Sequence, residues 1–191
     1  MSKKSGFRLS LLSFALLWAL LACSPCGWLP RPTPSEWPQR PIEITEEAAQ
    51  RFQEKIQEAL KNQVDGQFRL QFTDQELTSY VNLKLEETEA VPLAEPRIWF
   101  TRGKIYVSGE VSSEDLPLKG RAAIVASAQV EDEQIRIHID QASIGRVPIP
   151  RSILDTISDT VNGNLAQAQL DIKVQQLEIL EGEAIIVARR Y

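Results

Sequence analysis

From Ile42 onward, apolar side chains recur first at a helical period and then at a period of two. Ala48, Ala49, Phe52, Ile56, Ala59 and Leu60 are spaced three or four apart on a segment otherwise rich in charge, which predicts an amphipathic helix of about five turns. Thr45 is its expected N-cap, and Glu46 and Glu47 fall in the first turn, where the helix dipole favours negative charge. Asp65-Gly66 closes the segment, and Phe68, Leu70 and Phe72 alternate as a short half-buried strand. Thr73-Asp-Gln-Glu76 has the spacing of a capping box and opens a second helix, with Leu77, Tyr80, Val81 and Leu85 turned inward. A proline-punctuated loop is expected from Val91 to Pro96.

Beyond that loop the alternation is strict. "RIWFT" and "KIYVSGEV" flank Arg102-Gly103 as a hairpin, and "KGRAAIVASAQV" and "QIRIHID" flank Glu131 to Glu133 as a second. Ile135, Ile137 and Ile139 share one face of their strand while Arg136, His138 and Asp140 share the other, as in an antiparallel sheet with one dry and one wet face. Pro148 and Pro150 end this run. Ile153, Leu154, Ile157, Val161 and Leu165 then form a third helical stripe, and Glu181-Gly182 centres a closing hairpin. The order α-β-α-β-β-β-β-α-β-β predicts an α+β domain with an antiparallel sheet of about six or seven strands.

The N-terminus follows different rules. Lys3, Lys4 and Arg8 precede an uncharged run, Leu9 to Ala22, whose length of about 21 Å as a helix falls short of the ~30 Å hydrocarbon core. That is the layout of a secretory signal peptide. The run ends in Leu20-Leu21-Ala22-Cys23, which resembles the bacterial lipobox; the resemblance implies residues 1–22 as the signal and Cys23 as the lipid-attachment site. The alternative is a single uncleaved N-terminal transmembrane anchor reaching Trp28, against which Pro25, Gly27 and Pro30 argue. From Cys23 to Pro41 the chain holds six prolines and no hydrophobic period, so 23–41 is expected to be a stiff stalk and 42–191 the folded domain. The Cys23-x-x-Cys26 spacing lacks the strand before and helix after that a redox dithiol needs, and lipidation of Cys23 would leave Cys26 as a lone thiol.

Charge and composition narrow the chemistry. A net charge of −5 argues against a nucleic-acid partner; loss of the three signal-peptide cations would deepen it to −8, so lipid chains rather than headgroup charge would hold the domain at a membrane. With one histidine, His138, little histidine chemistry is available. His138 and Asp140 share a strand face among other charges, and no Gly-x-Ser-x-Gly elbow, phosphate-cradling loop or EF-hand spacing is present. The paired carboxylates sit at helix ends and turns, where acidic residues are solvated. No catalytic activity, metal or cofactor is expected. Ala122, Ile124, Ala126, Ala128 and Val130 share one strand face, and such small side chains leave room for either a closely packed helix or an acyl chain.

Three stretches carry a family resemblance. "FRLQFTDQELTSYVN" (Phe68 to Asn82), "IRIHIDQASIGRVPIP" (Ile135 to Pro150) and "LEILEGEAIIVARR" (Leu177 to Arg190) resemble segments of the YpmS-like and LmeA-like envelope proteins, which look related to the tubular lipid-binding (TULIP-like) proteins. The resemblance implies a curved antiparallel half-barrel wrapping the long first helix, an apolar groove, and lipid binding without catalysis. The lipobox-like start and proline-rich stalk depart from the transmembrane anchor of the YpmS-like proteins. The expected function is therefore a membrane-tethered, extracytoplasmic binder of phospholipid or another apolar ligand, with Phe52, Ile56, Leu60, Ile124, Ala126, Ile137 and Ile139 as groove residues. The alternative is an envelope scaffold or protein-interaction domain with a filled core and no ligand.

Overall fold

The computed structural model describes residues 37–86, 93–111, 120–169 and 171–190. The signal segment, Cys23, Cys26 and the stalk as far as residue 36, together with the acidic Glu87 and Glu114/Asp115, lie outside the described residues. Pro38–Tyr191 forms one unit. Its elements are α1 (Glu46–Lys61), β1 (Gln67–Thr73), α2 (Asp74–Glu86), β2 (Leu93–Thr101), β3 (Lys104–Val111), β4 (Gly120–Glu131), β5 (Gln134–Ile144), β6 (Val147–Pro148), α3 (Arg151–Ala168), β7 (Ile172–Ile179) and β8 (Glu183–Arg190). The class is α+β with every strand pair antiparallel.

Local signals act where the sequence places them. The Thr45 hydroxyl accepts from the Ala48 N–H at 3.2 Å and caps α1. Thr73 and Glu76 form a reciprocal capping box: the Thr73 N–H donates to the Glu76 carboxylate at 2.9 Å, and the Glu76 N–H donates to the Thr73 hydroxyl at 3.2 Å. Arg102 and Gly103 both have positive φ, 43° and 82°, the backbone of a tight turn whose twist matches its strands. The loop expected at Val91 to Pro96 instead enters β2 at Leu93, with an irregularity between Ala94 and Arg97. Pro96 lacks an N–H, and a bulged edge strand is where a strand tolerates that.

The long single sheet is replaced by two, of three strands (β1-β8-β7) and five (β2-β3-β4-β5-β6), which do not close into a barrel. The break follows from the last hairpin. It pairs β8 with the early strand β1 rather than extending the sheet from β5. The outer edge of β7 then meets hairpin tips: the Val174 N–H donates to the Glu133 carbonyl at 2.7 Å, and the Gly103 N–H to the Ile179 carbonyl at 2.9 Å.

The β2 edge, and the length of β5 that the two-residue β6 leaves unpaired, are closed by helix side chains acting as a neighbouring strand would. On β2, the Thr78 hydroxyl accepts from the Ile98 N–H (3.0 Å) and lies 3.2 Å from its carbonyl, while the Asn82 amide donates to the Pro96 carbonyl at 2.7 Å. On β5, the Ser158 hydroxyl accepts from the Ile139 N–H (3.1 Å), Asn162 bonds both the N–H and the carbonyl of Ile137 (2.7 and 2.9 Å), and Gln169 accepts from the Ile135 N–H (2.9 Å). Four helical residues rise about 6 Å and two strand residues about 6.8 Å, so side chains four apart on a helix match alternate strand residues.

This arrangement corrects two helix faces. In α2 the most buried side chains are Asp74, Glu76, Thr78, Ser79 and Asn82; Leu77, Tyr80 and Val81 are half-buried against the core. In α3, Leu154 and Ser158 are buried, but Ile153 and Ile157 are 49% and 37% exposed. A helix lying along a sheet edge must turn hydrogen-bonding groups toward the strand, which rotates part of its apolar stripe away.

Candidate ligand-binding face

Register defines one face of the five-stranded sheet. Phe100 pairs with Ile105, Ile105 with Ala126, and Ala126 with Ile139; in the next rows Ile98, Val107, Ile124 and Ala142 align. Ala128 pairs with Ile137 and Val130 with Ile135. Paired residues project to the same side, so this face is apolar from β2 to β5. A bulge between Val125 and Ala126 keeps the sides in step after Asp140 is skipped.

Three clusters cover parts of it. Phe52 of α1, Phe72, Ile98, Phe100 and Ala184 form the first. Ring centroids stand 5.1 Å apart for Phe52–Phe72 and 5.8 Å for Phe72–Phe100, both edge to face. Phe68, Val174 and Ala188 form the second, against which Leu60, Val130 and Ile135 pack. Ala126, Ile139 and Leu154 form the third, with Ile105, Ile124, Ile137, Ala142 and Ile149 beside it. Between the block of α1 and α2 and the edge helix α3, the sheet residues Ile105, Val107, Ile124, Ala128 and Ile137 are only half-buried. Gly109 on this face has a close-approach role, because a Cβ there would stand 2.8 Å from Leu93 Cδ1 and 3.0 Å from the Ala94 carbonyl.

The seven expected groove residues divide among the clusters. Phe52 and Ile56 belong with the first, Leu60 with the second, and Ile124, Ala126, Ile137 and Ile139 with the third. Phe52, Ala126 and Ile139 are buried at 6%, 5% and 5% exposure, so the surface of the face is carried by Ile124 and Ile137. Reading the sequence missed Ile105 and Val107, although "KIYVSGEV" already alternates; their pairing with Ala126 and Ile124 is what brings them to the same face.

The opposite face is mixed: Trp99, Tyr106 and Val125 align in one row, with charged side chains around them. Lys104 Nζ bonds Asp140 at 2.9 Å and Arg121 lies 3.5 Å from Glu110. His138 Nε2 stands 3.2 Å from Arg151 Nη2 and Asp140 is held by Lys104, so the two are not joined as a base and its orienter. A separate shallow cleft between α1 and β1 is lined by the charged Lys55, Glu58 and Arg69, the polar Asn62 and Gln71, and the apolar Ala59 and Leu70. No group of three His, Cys, Asp or Glu side chains suited to a metal occurs among the described residues. No described helix is long and apolar enough to cross a membrane.

Two buried carboxylates stand at the start of α2. Burial raises Asp74 above the usual carboxylate range, against the pull of Arg40, whose guanidinium bonds it at 2.8 Å. Burial acts in the same direction on Glu76, but hydrogen bonds from Lys55 and Thr73 outweigh it and hold that carboxyl below its ordinary value. Arg40 also reaches Glu181 at 2.9 Å and the Phe100 carbonyl at 3.1 Å, and its own carbonyl accepts from Trp99 Nε1 at 2.9 Å. These contacts fasten the chain ahead of α1 to α2, β2 and the β7–β8 turn.

No protein-family model, curated protein or solved structure matches the chain.

Proposed function

We propose that the protein is a non-catalytic binder of a phospholipid or similar apolar ligand, tethered outside the cytoplasm through a lipid on Cys23, with a fold of the TULIP-like half-barrel kind. The observation that carries this reading is the continuous apolar face of β2 to β5, whose middle, Ile105, Val107, Ile124, Ala128 and Ile137, is only half-covered. A domain with no use for that surface would gain by covering it, since burial contributes about 25 cal/mol per Å². The stripe of α3 beside it supports the same reading, because Ile153 and Ile157 stand exposed. An envelope scaffold with a filled core is the second reading, favoured by the enclosure of Phe52, Ala126 and Ile139.

A photoreactive phenylalanine analogue in place of Ile124, in the full chain within its own membrane, separates the two. A phospholipid adduct found by mass spectrometry is the expected result. Crosslinks confined to this chain's own residues, or to another protein, overturn lipid binding.

A further inference from the structure

The two ends of the five-stranded sheet have different surroundings. The β2–β3 and β4–β5 turns bond to β7, whereas the other end carries the β5–β6 turn and the N-terminus of α3. Among the described residues, three of the six large apolar side chains that stand exposed, Val147 at 47%, Ile153 at 49% and Ile157 at 37%, fall within this short stretch. Val147 pairs with Ile144, and Ile144 with Ala122, so Val147 projects to the apolar side of the sheet. Ile153 and Ile157 lie one turn apart on α3, beside the Leu154 that packs on that same side.

Charge and backbone agree with the side chains. From Arg146 to Ile157 the chain carries two arginines, Arg146 and Arg151, against one carboxylate, Asp155, a net positive stretch in a chain whose net charge is −5. Both arginines are exposed; Arg151 lies 3.9 Å from Asp155 and 3.2 Å from His138, a shared and solvated pairing. The Gly145 N–H donates to the Arg121 carbonyl at 2.8 Å and the Ile149 N–H to the Ala142 carbonyl at 2.9 Å, while Pro148 and Pro150 have no N–H to satisfy. Such a stretch enters a headgroup layer with few stranded donors.

We propose that this corner, Arg146 to Ile157, docks on an anionic lipid bilayer, with Val147, Ile153 and Ile157 entering the interface and Arg146 and Arg151 meeting lipid phosphates. Basic residues flanking apolar ones form the pattern that anionic interfaces attract. Docking here would set one end of the half-covered apolar face at the bilayer, the entry that an acyl-chain ligand requires. This inference rests on the lipid-binding reading for its purpose but not for its test.

The test uses an Ile153→Trp variant of the full chain, reconstituted in vesicles of phosphatidylglycerol with phosphatidylcholine, and its emission is read against the parent chain. The added tryptophan is expected to shift to the blue and to be quenched by lipids brominated on their acyl chains. Adding Arg146→Gln should lower the docked-to-undocked ratio about fivefold, as expected for removing one cation near an anionic surface. An added tryptophan quenched by aqueous acrylamide and not by brominated lipid overturns the proposal. So does a blue shift that follows protein concentration in the absence of lipid, which would mark a contact between copies. Quenching by lipid without a phospholipid adduct at Ile124 keeps the docking surface and removes the ligand; an adduct without quenching does the reverse.

Discussion

Glu76 shows how much one side chain can do. Its carboxylate is nearly enclosed, yet it accepts from Lys55 Nζ at 2.8 Å and from the Thr73 N–H at 2.9 Å. Its pKa in the folded chain lies below the ordinary 4.5. The unfolded chain therefore binds the proton more readily, and the stabilisation is present above about pH 4.5 and lost as pH falls through the depressed folded value. Asp74 acts in the opposite sense: raised above 3.8, it takes up its proton more readily when folded, and its contribution is lost as pH rises through its folded value. Glu76→Gln keeps an oxygen for the Thr73 N–H but removes the charge facing Lys55, and should cost about 1 kcal/mol near pH 7 and flatten the acid limb of stability. Urea midpoints measured at about pH 7 and about pH 3 check this; an unchanged acid limb contradicts it. The Thr73–Glu76 box was legible because it is local. The burial of both carboxylates was not, because Arg40 and Lys55, which accompany it, lie 34 and 21 residues away.

At the scale of elements, helices that close sheet edges are the main departure from the hydrophobic pattern. Periodicity identified α2 and α3 and placed their apolar residues inward. Thr78, Asn82, Ser158 and Asn162 read as ordinary polar positions, yet they carry the contacts to β2 and β5. An unpaired strand edge needs donors and acceptors, and a row of polar side chains supplies them as well as another strand would. Asn162→Ala should cost about 1–3 kcal/mol, because it strands the N–H and carbonyl of Ile137. Amide exchange at Ile137 should accelerate before exchange at Val125 in the sheet interior does. Equal protection at both sites would show that α3 does not hold the edge.

For the whole molecule, pairing between distant segments decides the layout. β1 and β8 align over Gln67 to Thr73 although more than a hundred residues separate them, and the resulting three-stranded sheet receives the turns of the other sheet on β7. The half-covered apolar face lies between α3 and the α1–α2 block. If that space admits ligand, Ile137→Phe should lower lipid uptake by the full chain while its thermal midpoint stays close to that of the parent. In a filled core the same overpacking costs about 1–3 kcal/mol and shows as a lowered midpoint, with no uptake to lose. Uptake of a fluorescent phospholipid and thermal melting, measured on the same preparation, distinguish the two.

By itself, the sequence determined the α+β class, the order of the helices and of every strand but the two-residue β6, the caps of α1 and α2, and the turn at Arg102-Gly103. Each depends on residues within a few positions of one another, where backbone sterics and period suffice. Only the tertiary structure decided that eight strands form two sheets, that polar faces of α2 and α3 turn inward, and that Ile105 and Val107 join Ile124 and Ile137 on one apolar surface. Those outcomes depend on which strand edges find partners, and an edge can be satisfied by a strand or by a row of side chains. Hydrophobic spacing cannot distinguish the two, because both bury the same backbone groups.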